Sequence, residues 1–118
     1  MSKKIQVIDD DPNIVDYLTS FLEDNGYTVN SATDAEKGLE MAKNDPPDLI
    51  TLDLEMPGDW GPRFYRKMTQ IDSLKNIPVI VISGLSCNQY AIPKAVTTLS
   101  KPFDKDKLLK IVKDTLME

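Results

Sequence analysis

Apolar residues along this 118-residue chain fall either into short, nearly continuous runs or into longer stretches with every third or fourth position apolar. The central short run, Leu49, Ile50 and Leu52 within DLITLDLEMPG (48–58), is too brief for a useful helix. Its continuity suits a strand buried on both faces that ends at Asp53, before Pro57-Gly58 turns the chain. Ile5, Val7 and Ile8 form a similar run that stops at Asp9-Asp10-Asp11. Pro12 fits the first turn of a helix and Asp11 its N-cap, which gives the third aspartate a structural task and leaves the first two without one. Ile14, Leu18, Phe21 and Leu22 then follow helical spacing up to Asn25-Gly26, a helix stop.

The alternation continues. A second strand is expected from Tyr27 to Ala32, and Thr33-Asp34-Ala35-Glu36 matches a capping box that opens a helix with Ala35, Leu39 and Ala42 on one face. Asn44 to Pro47 closes it. Pro62 is placed to begin a third helix containing Phe64, Tyr65, Met68 and Ile71. PVIVIS (78–83) is the most strongly β-prone run of the chain. Residues 84–96 carry no clear helical stripe, and Pro93 would interrupt a helix there. Thr97 to Ser100 reads as a last short strand. Asp104 caps a final helix with Leu108, Ile111, Val112 and Leu116 on its apolar face, and Lys105, Lys107, Lys110 and Lys113 belong to a solvated face interleaved with aspartates. Five strands alternating with helices predict a doubly wound parallel sheet.

Length and charge restrict what such a sheet can do. The chain is expected to be one domain, residues 1–118, built on one layered core. A net charge of -5 disfavours direct binding to nucleic-acid backbones and makes a basic partner electrostatically easier. One cysteine, Cys87, excludes an internal disulfide. The apolar stretch after Lys3-Lys4 is too short for a signal peptide or membrane span, so a cytoplasmic location is expected.

Four apolar runs end on polar residues: Asp9 and Asp10, Asp53, Ser83, and Lys101. Parallel strands bring those ends to one edge, where open α/β sheets bind ligands. Clustered carboxylates repel one another unless a cation is present, and hard oxygen donors favour Mg²⁺ or a similar ion. A lysine and a hydroxyl beside them suit a phosphoryl group. Taken alone, Asp53 reads equally well as a loop-capping carboxylate.

VIDD (7–10), LDLEMPG (52–58), PVIVISG (78–84) and SKPF (100–103), in that order, resemble the CheY-like receiver domains of two-component response regulators. The resemblance spans nearly the whole chain. It implies a flavodoxin-like sheet of order 2-1-3-4-5 and a phosphorylation-dependent switch. Asp53 would be the phosphoacceptor, Asp10 a direct Mg²⁺ ligand, Asp9 an outer ligand acting through water, and the Glu55 carbonyl a further ligand. Ser83 would hydrogen-bond a phosphoryl oxygen and Lys101 would pair with Asp53 or its phosphate. The implied donor is a histidine kinase, a phosphotransfer protein or a small acyl phosphate, and the implied output is contact with a downstream protein. The chain has no histidine, so the donor lies outside it.

Some features depart from that pattern. Thr98 stands where an aromatic residue is usual, Lys94 stands near the place of a usual glycine, and only eighteen positions separate Ser83 from Lys101. A shortened or irregular helix is therefore expected between the last two strands, with residues 84–96 themselves carrying the conformational change. Cys87 reads as a loop thiol, Trp60 as a partly exposed loop residue near the site, and Tyr90 equally as packing or interaction surface. Two alternatives are an aspartyl-phosphate phosphatase of the haloacid dehalogenase type, disfavoured because Glu55 stands where a second aspartate belongs, and a receiver-like module that binds partners without phosphorylation.

Overall fold

Helix α1 illustrates how the chain punctuates itself. In the computed structural model, which describes residues 3–53, 60–83, 97–100 and 104–117, with backbone alone for 60–62, 83 and 97–100, α1 spans Pro12–Asp24. Asp11, in extended backbone conformation, caps it by accepting from Asn13 N–H. Its far end is closed by two backbone hydrogen bonds, Gly26 N–H to Glu23 O (3.0 Å) and Tyr27 N–H to Leu22 O (3.2 Å). That pairing is a Schellman closure, and it requires the left-handed φ of 94° that Gly26 adopts at little cost.

The strands are β1 (Lys4–Ile8), β2 (Thr28–Ala32), β3 (Leu49–Leu52), β4 (Val79–Ser83) and β5 (Thr97–Ser100). The remaining helices are α2 (Ala35–Asn44), α3 (Trp60–Thr69) and α4 (Lys105–Leu116). The strands form one sheet of order β2-β1-β3-β4-β5 with parallel pairing throughout. This is the flavodoxin-like order expected from the sequence, and its direction reverses between β1 and β3.

Side chains alternate across the sheet, so β1, β3 and β4 each feed two cores. Ile8, Ile50, Leu52, Val79 and Val81 pack with Ala35, Leu39 and Ala42 of α2 and Phe64 and Met68 of α3. Ile5, Val7, Leu49, Ile80 and Ile82 pack on the other face with Val15, Leu18 and Leu22 of α1 and Leu108, Val112 and Leu116 of α4. All four residues of β3 are buried, which is why its run lacks polar alternation.

Several expectations are corrected. The N-cap of α2 is Asp34, whose carboxylate accepts from Lys37 N–H at 3.1 Å, so the cap falls one residue after Thr33 and the residue that would complete a box is Lys37, which cannot accept. A carboxylate at this position meets the helix's positive end, which makes it at least as good a cap as threonine. Trp60 is the first residue of α3, not a loop residue, and Pro62 lies inside the first turn, where its missing N–H leaves no helical bond unmade. Ile71 lies beyond the end of α3 and packs on the core from the following turn. Residues 84–96, and with them the expected irregular helix, Cys87, Tyr90, Pro93 and Lys94, lie outside the described residues. Among the described residues no helix is long and apolar enough to cross a membrane.

Candidate functional site

Register decides which side chains meet at the carboxyl edge of the sheet. Ile8 of β1 is paired with Leu52 of β3, so the next residue on each strand, Asp9 and Asp53, leaves the sheet at the same level. The backbone continues the ladder by one step on each side: Asp53 N–H donates to Ile8 O (2.9 Å) and Asp9 N–H to Ala32 O (3.2 Å). Both carboxylates are consequently held at the edge yet only 2% exposed. Asp10, one residue on, is exposed to solvent.

One carboxylate oxygen from each of Asp9, Asp10 and Asp53 lies within 4.8 Å of the others. Three like charges at that spacing favour an added cation. Two buried donors and one exposed one, all hard oxygens, suit a small divalent ion that keeps several waters, because Mg²⁺ uses one or two carboxylates and retains much of its hydration. The donor set therefore fits the metal that the sequence resemblance implies.

Asp9 is oriented by a contact that the sequence reading did not draw. Its Oδ1 accepts the backbone N–H of Asp11 at 2.9 Å. The signal was present, since an aspartate two residues before an N-cap can form such an Asx turn, but only the Asp11 cap itself was inferred.

The other predicted site residues are placed unevenly. Ser83 ends β4 and is paired with Ser100 of β5; Leu52 is paired with Val81, so Ser83 stands two residues along the same edge. The chain then leaves β5 at Ser100, directly before Lys101. Lys101 and Glu55 lie outside the described residues. Thr98 is paired with Val81 within β5. Gln6 and Thr51, buried polar residues of β1 and β3, were not singled out from the sequence. Gln6 Nε2 donates to Gly38 O at 2.8 Å, a tie between β1 and α2 and not part of the carboxylate cluster.

Residues 5–113 match the family described as the response regulator receiver domain. Protein Rrf1 of Nitratidesulfovibrio vulgaris (strain Hildenborough) is 38% identical over 112 residues, covering 95% of this chain and 81% of that protein. Sporulation initiation phosphotransferase F of Bacillus subtilis is 30% identical over 120 aligned positions, covering 98% and 95% respectively. Among solved structures, a CheY-like response regulator receiver domain protein from Methanospirillum hungatei matches with a TM-score of 0.88 at 26% identity, covering 98% of this chain and 94% of that one. The receiver domain of sensor histidine kinase PA1611 from Pseudomonas aeruginosa, 20% identical, shares the fold with a TM-score of 0.89 over 100% of both chains. Taken with the sheet order and the carboxylates at its edge, these matches show that the chain belongs to the response regulator receiver domains of two-component signalling.

Proposed function

We propose that the chain is a single receiver domain in which Asp53 accepts a phosphoryl group in a Mg²⁺-dependent reaction. The observation that carries this reading is the convergence of the Asp9, Asp10 and Asp53 carboxylates within 4.8 Å at the carboxyl edge. A carboxylate oxygen of Asp53 attacks phosphorus in line with the leaving group. The bond from phosphorus to the donor, a phosphohistidine nitrogen or an acyl oxygen, breaks as the new P–O bond forms. Asp53 is 2% exposed, which limits water at the reacting atom, while the exposed Asp10 marks the open side of the site.

Asp10 and Asp53, with the Glu55 carbonyl, would hold the metal directly, and Asp9 would act through water. When bound, the ion supplies positive charge to the phosphoryl oxygens and offsets the repulsion among the carboxylates. The PA1611 receiver domain was solved with a magnesium ion coordinated in its active-site cleft. Ser83 would donate a hydrogen bond to a phosphoryl oxygen. Lys101 would pair with Asp53 before transfer and with the phosphoryl group afterwards. Water attack on the acyl phosphate returns the switch to its resting state, so the catalysis is confined to the chain's own phosphorylation and dephosphorylation.

The donor is a histidine kinase or a phosphotransfer protein, and the output is a contact with a downstream protein. The relative named as a phosphotransferase is consistent with a place in a phosphorelay. The net charge of -5 supports protein partners over nucleic acid, and the location is cytoplasmic. Intact-mass spectrometry after incubation with acetyl phosphate and Mg²⁺ tests the reading. One added phosphoryl group is expected, absent when the metal is chelated and absent in Asp53→Asn. An unmodified wild-type protein would favour a module that works without phosphorylation.

A further inference from the structure

Asp11 is the acidic residue of the 9–11 run that the proposed metal site does not use, yet it joins that site to helix α1. Its amide N–H donates to Asp9 Oδ1 at 2.9 Å. Its own Oδ1 accepts Asn13 N–H at 2.9 Å, and its carbonyl accepts Val15 N–H at 3.1 Å. Pro12, with its φ restricted by the ring, occupies the first helical position between these bonds. Two turns of the same kind therefore interlock: the carboxylate of Asp9 holds the amide of Asp11, and the carboxylate of Asp11 holds the amide of Asn13. Asp10 lies inside the first turn, and the second turn begins at the residue that closes the first.

We propose that Asp11 is a positioning residue for the Mg²⁺ site, acting through its cap and not through its charge. This rests on the reading that Asp10 holds the metal directly and Asp9 through water. Loss of the cap removes one of the three hydrogen bonds that hold residue 11, and the amide facing Asp9 then loses its fixed direction. Mg²⁺ demands near-octahedral geometry, so such loosening is costly; removing a group that orients a metal ligand typically weakens affinity by about 10–100-fold. A negative charge in solvent beside the site would also attract the ion. That effect fades with salt, whereas a geometric one does not.

Calorimetric Mg²⁺ titrations of wild type, Asp11→Ala, Asp11→Asn and Asp11→Ser separate the two. Asparagine and serine cap about as well as aspartate while carrying no charge. Asp11→Ala is expected to weaken Mg²⁺ binding about tenfold at both low and high salt. Asp11→Asn and Asp11→Ser should stay within about threefold of wild type at physiological salt. In metal-free protein, amide exchange at residue 11 should be faster in Asp11→Ala and close to wild type in Asp11→Asn. Wild-type protein that binds no Mg²⁺ would overturn the metal reading and this inference with it. Wild-type binding with unchanged affinity in Asp11→Ala overturns this inference alone. So does an Asp11→Asn or Asp11→Ser loss as large as that of alanine; if the alanine variant does not fold, a loss of about tenfold against wild type in Asp11→Asn and Asp11→Ser at physiological salt overturns it as well.

Discussion

Gly38 of α2 sits against the strand that ends at the site, and a methyl group placed there tests how tightly that strand is held. A Cβ at residue 38 would lie 3.0 Å from Ile8 Cδ1, 3.2 Å from Ile8 Cγ1 and 3.5 Å from Ala32 Cβ. Two effects oppose each other in Gly38→Ala. Alanine in a helix interior is favoured over glycine by about 0.8–1.0 kcal/mol. Forcing an extra methyl into a packed core costs about 1–3 kcal/mol. Ile8 is 1% exposed and shares its layer with Ala35, Leu39 and Leu52, so its terminal methyl has little room to retreat. The net expectation is a destabilisation of about 1 kcal/mol. Ile8→Val deletes the methyl at 3.0 Å and by itself costs about 0.5–1.5 kcal/mol. In that background Gly38→Ala should be neutral or stabilising, a favourable coupling of about 1 kcal/mol. Urea denaturation of the four proteins, fitted with a common slope, reads this directly. A Gly38→Ala variant about 1 kcal/mol more stable than wild type, with no coupling to Ile8→Val, would refute the tight packing of β1 on α2.

Two further outcomes bear on the site and its supports. At a Mg²⁺ concentration about a hundredfold above its dissociation constant, wild type should gain about 2.7 kcal/mol of stability and Asp10→Asn only a small part of it; without metal the variant should be at least as stable as wild type, because one of three clustered charges is gone, and paired denaturant melts check both. Burial raises the pKa of the Tyr65 phenol above its ordinary value, so the unfolded chain ionises first as pH rises. The contribution of Tyr65 is therefore present below about pH 10 and lost as pH climbs through the higher folded value; Tyr65→Phe should flatten that part of the stability profile.

The parts of this fold legible in the sequence were those in which local chemistry and tertiary packing agree. The runs around Val7, Ile50 and Val81 announce buried parallel strands because both faces of each strand are covered. Asp11-Pro12 and Asn25-Gly26 mark the ends of α1 through backbone requirements that no distant contact overrides. Legibility failed where neighbouring residues could do the same work. Thr33 and Asp34 are both competent caps, and α2 uses Asp34. Trp60 joins α3 because a helix can begin ahead of Pro62 without losing a hydrogen bond. Leu74, fully buried from a turn, belongs to no periodic stripe and was not anticipated as core. For the site, Asp9, Asp10 and Asp53 follow from strand ends and parallel order, whereas the tie from Asp11 to Asp9 depends on backbone direction within a turn. Ser83 reaches the same edge by its backbone, and Glu55 and Lys101 rest on the sequence pattern.

On phosphorylation one carboxylate, Asp53, is expected to become an acyl phosphate. Borohydride reduces an acyl phosphate to an alcohol, which converts the modified aspartate into homoserine and marks its position permanently. After incubation with acetyl phosphate and Mg²⁺, reduction and peptide mass spectrometry should find homoserine at residue 53 alone, and none when the metal is chelated. Homoserine at Asp9 or Asp10, or an unchanged Asp53 under conditions that saturate the metal site, would rule out Asp53 as the phosphoacceptor.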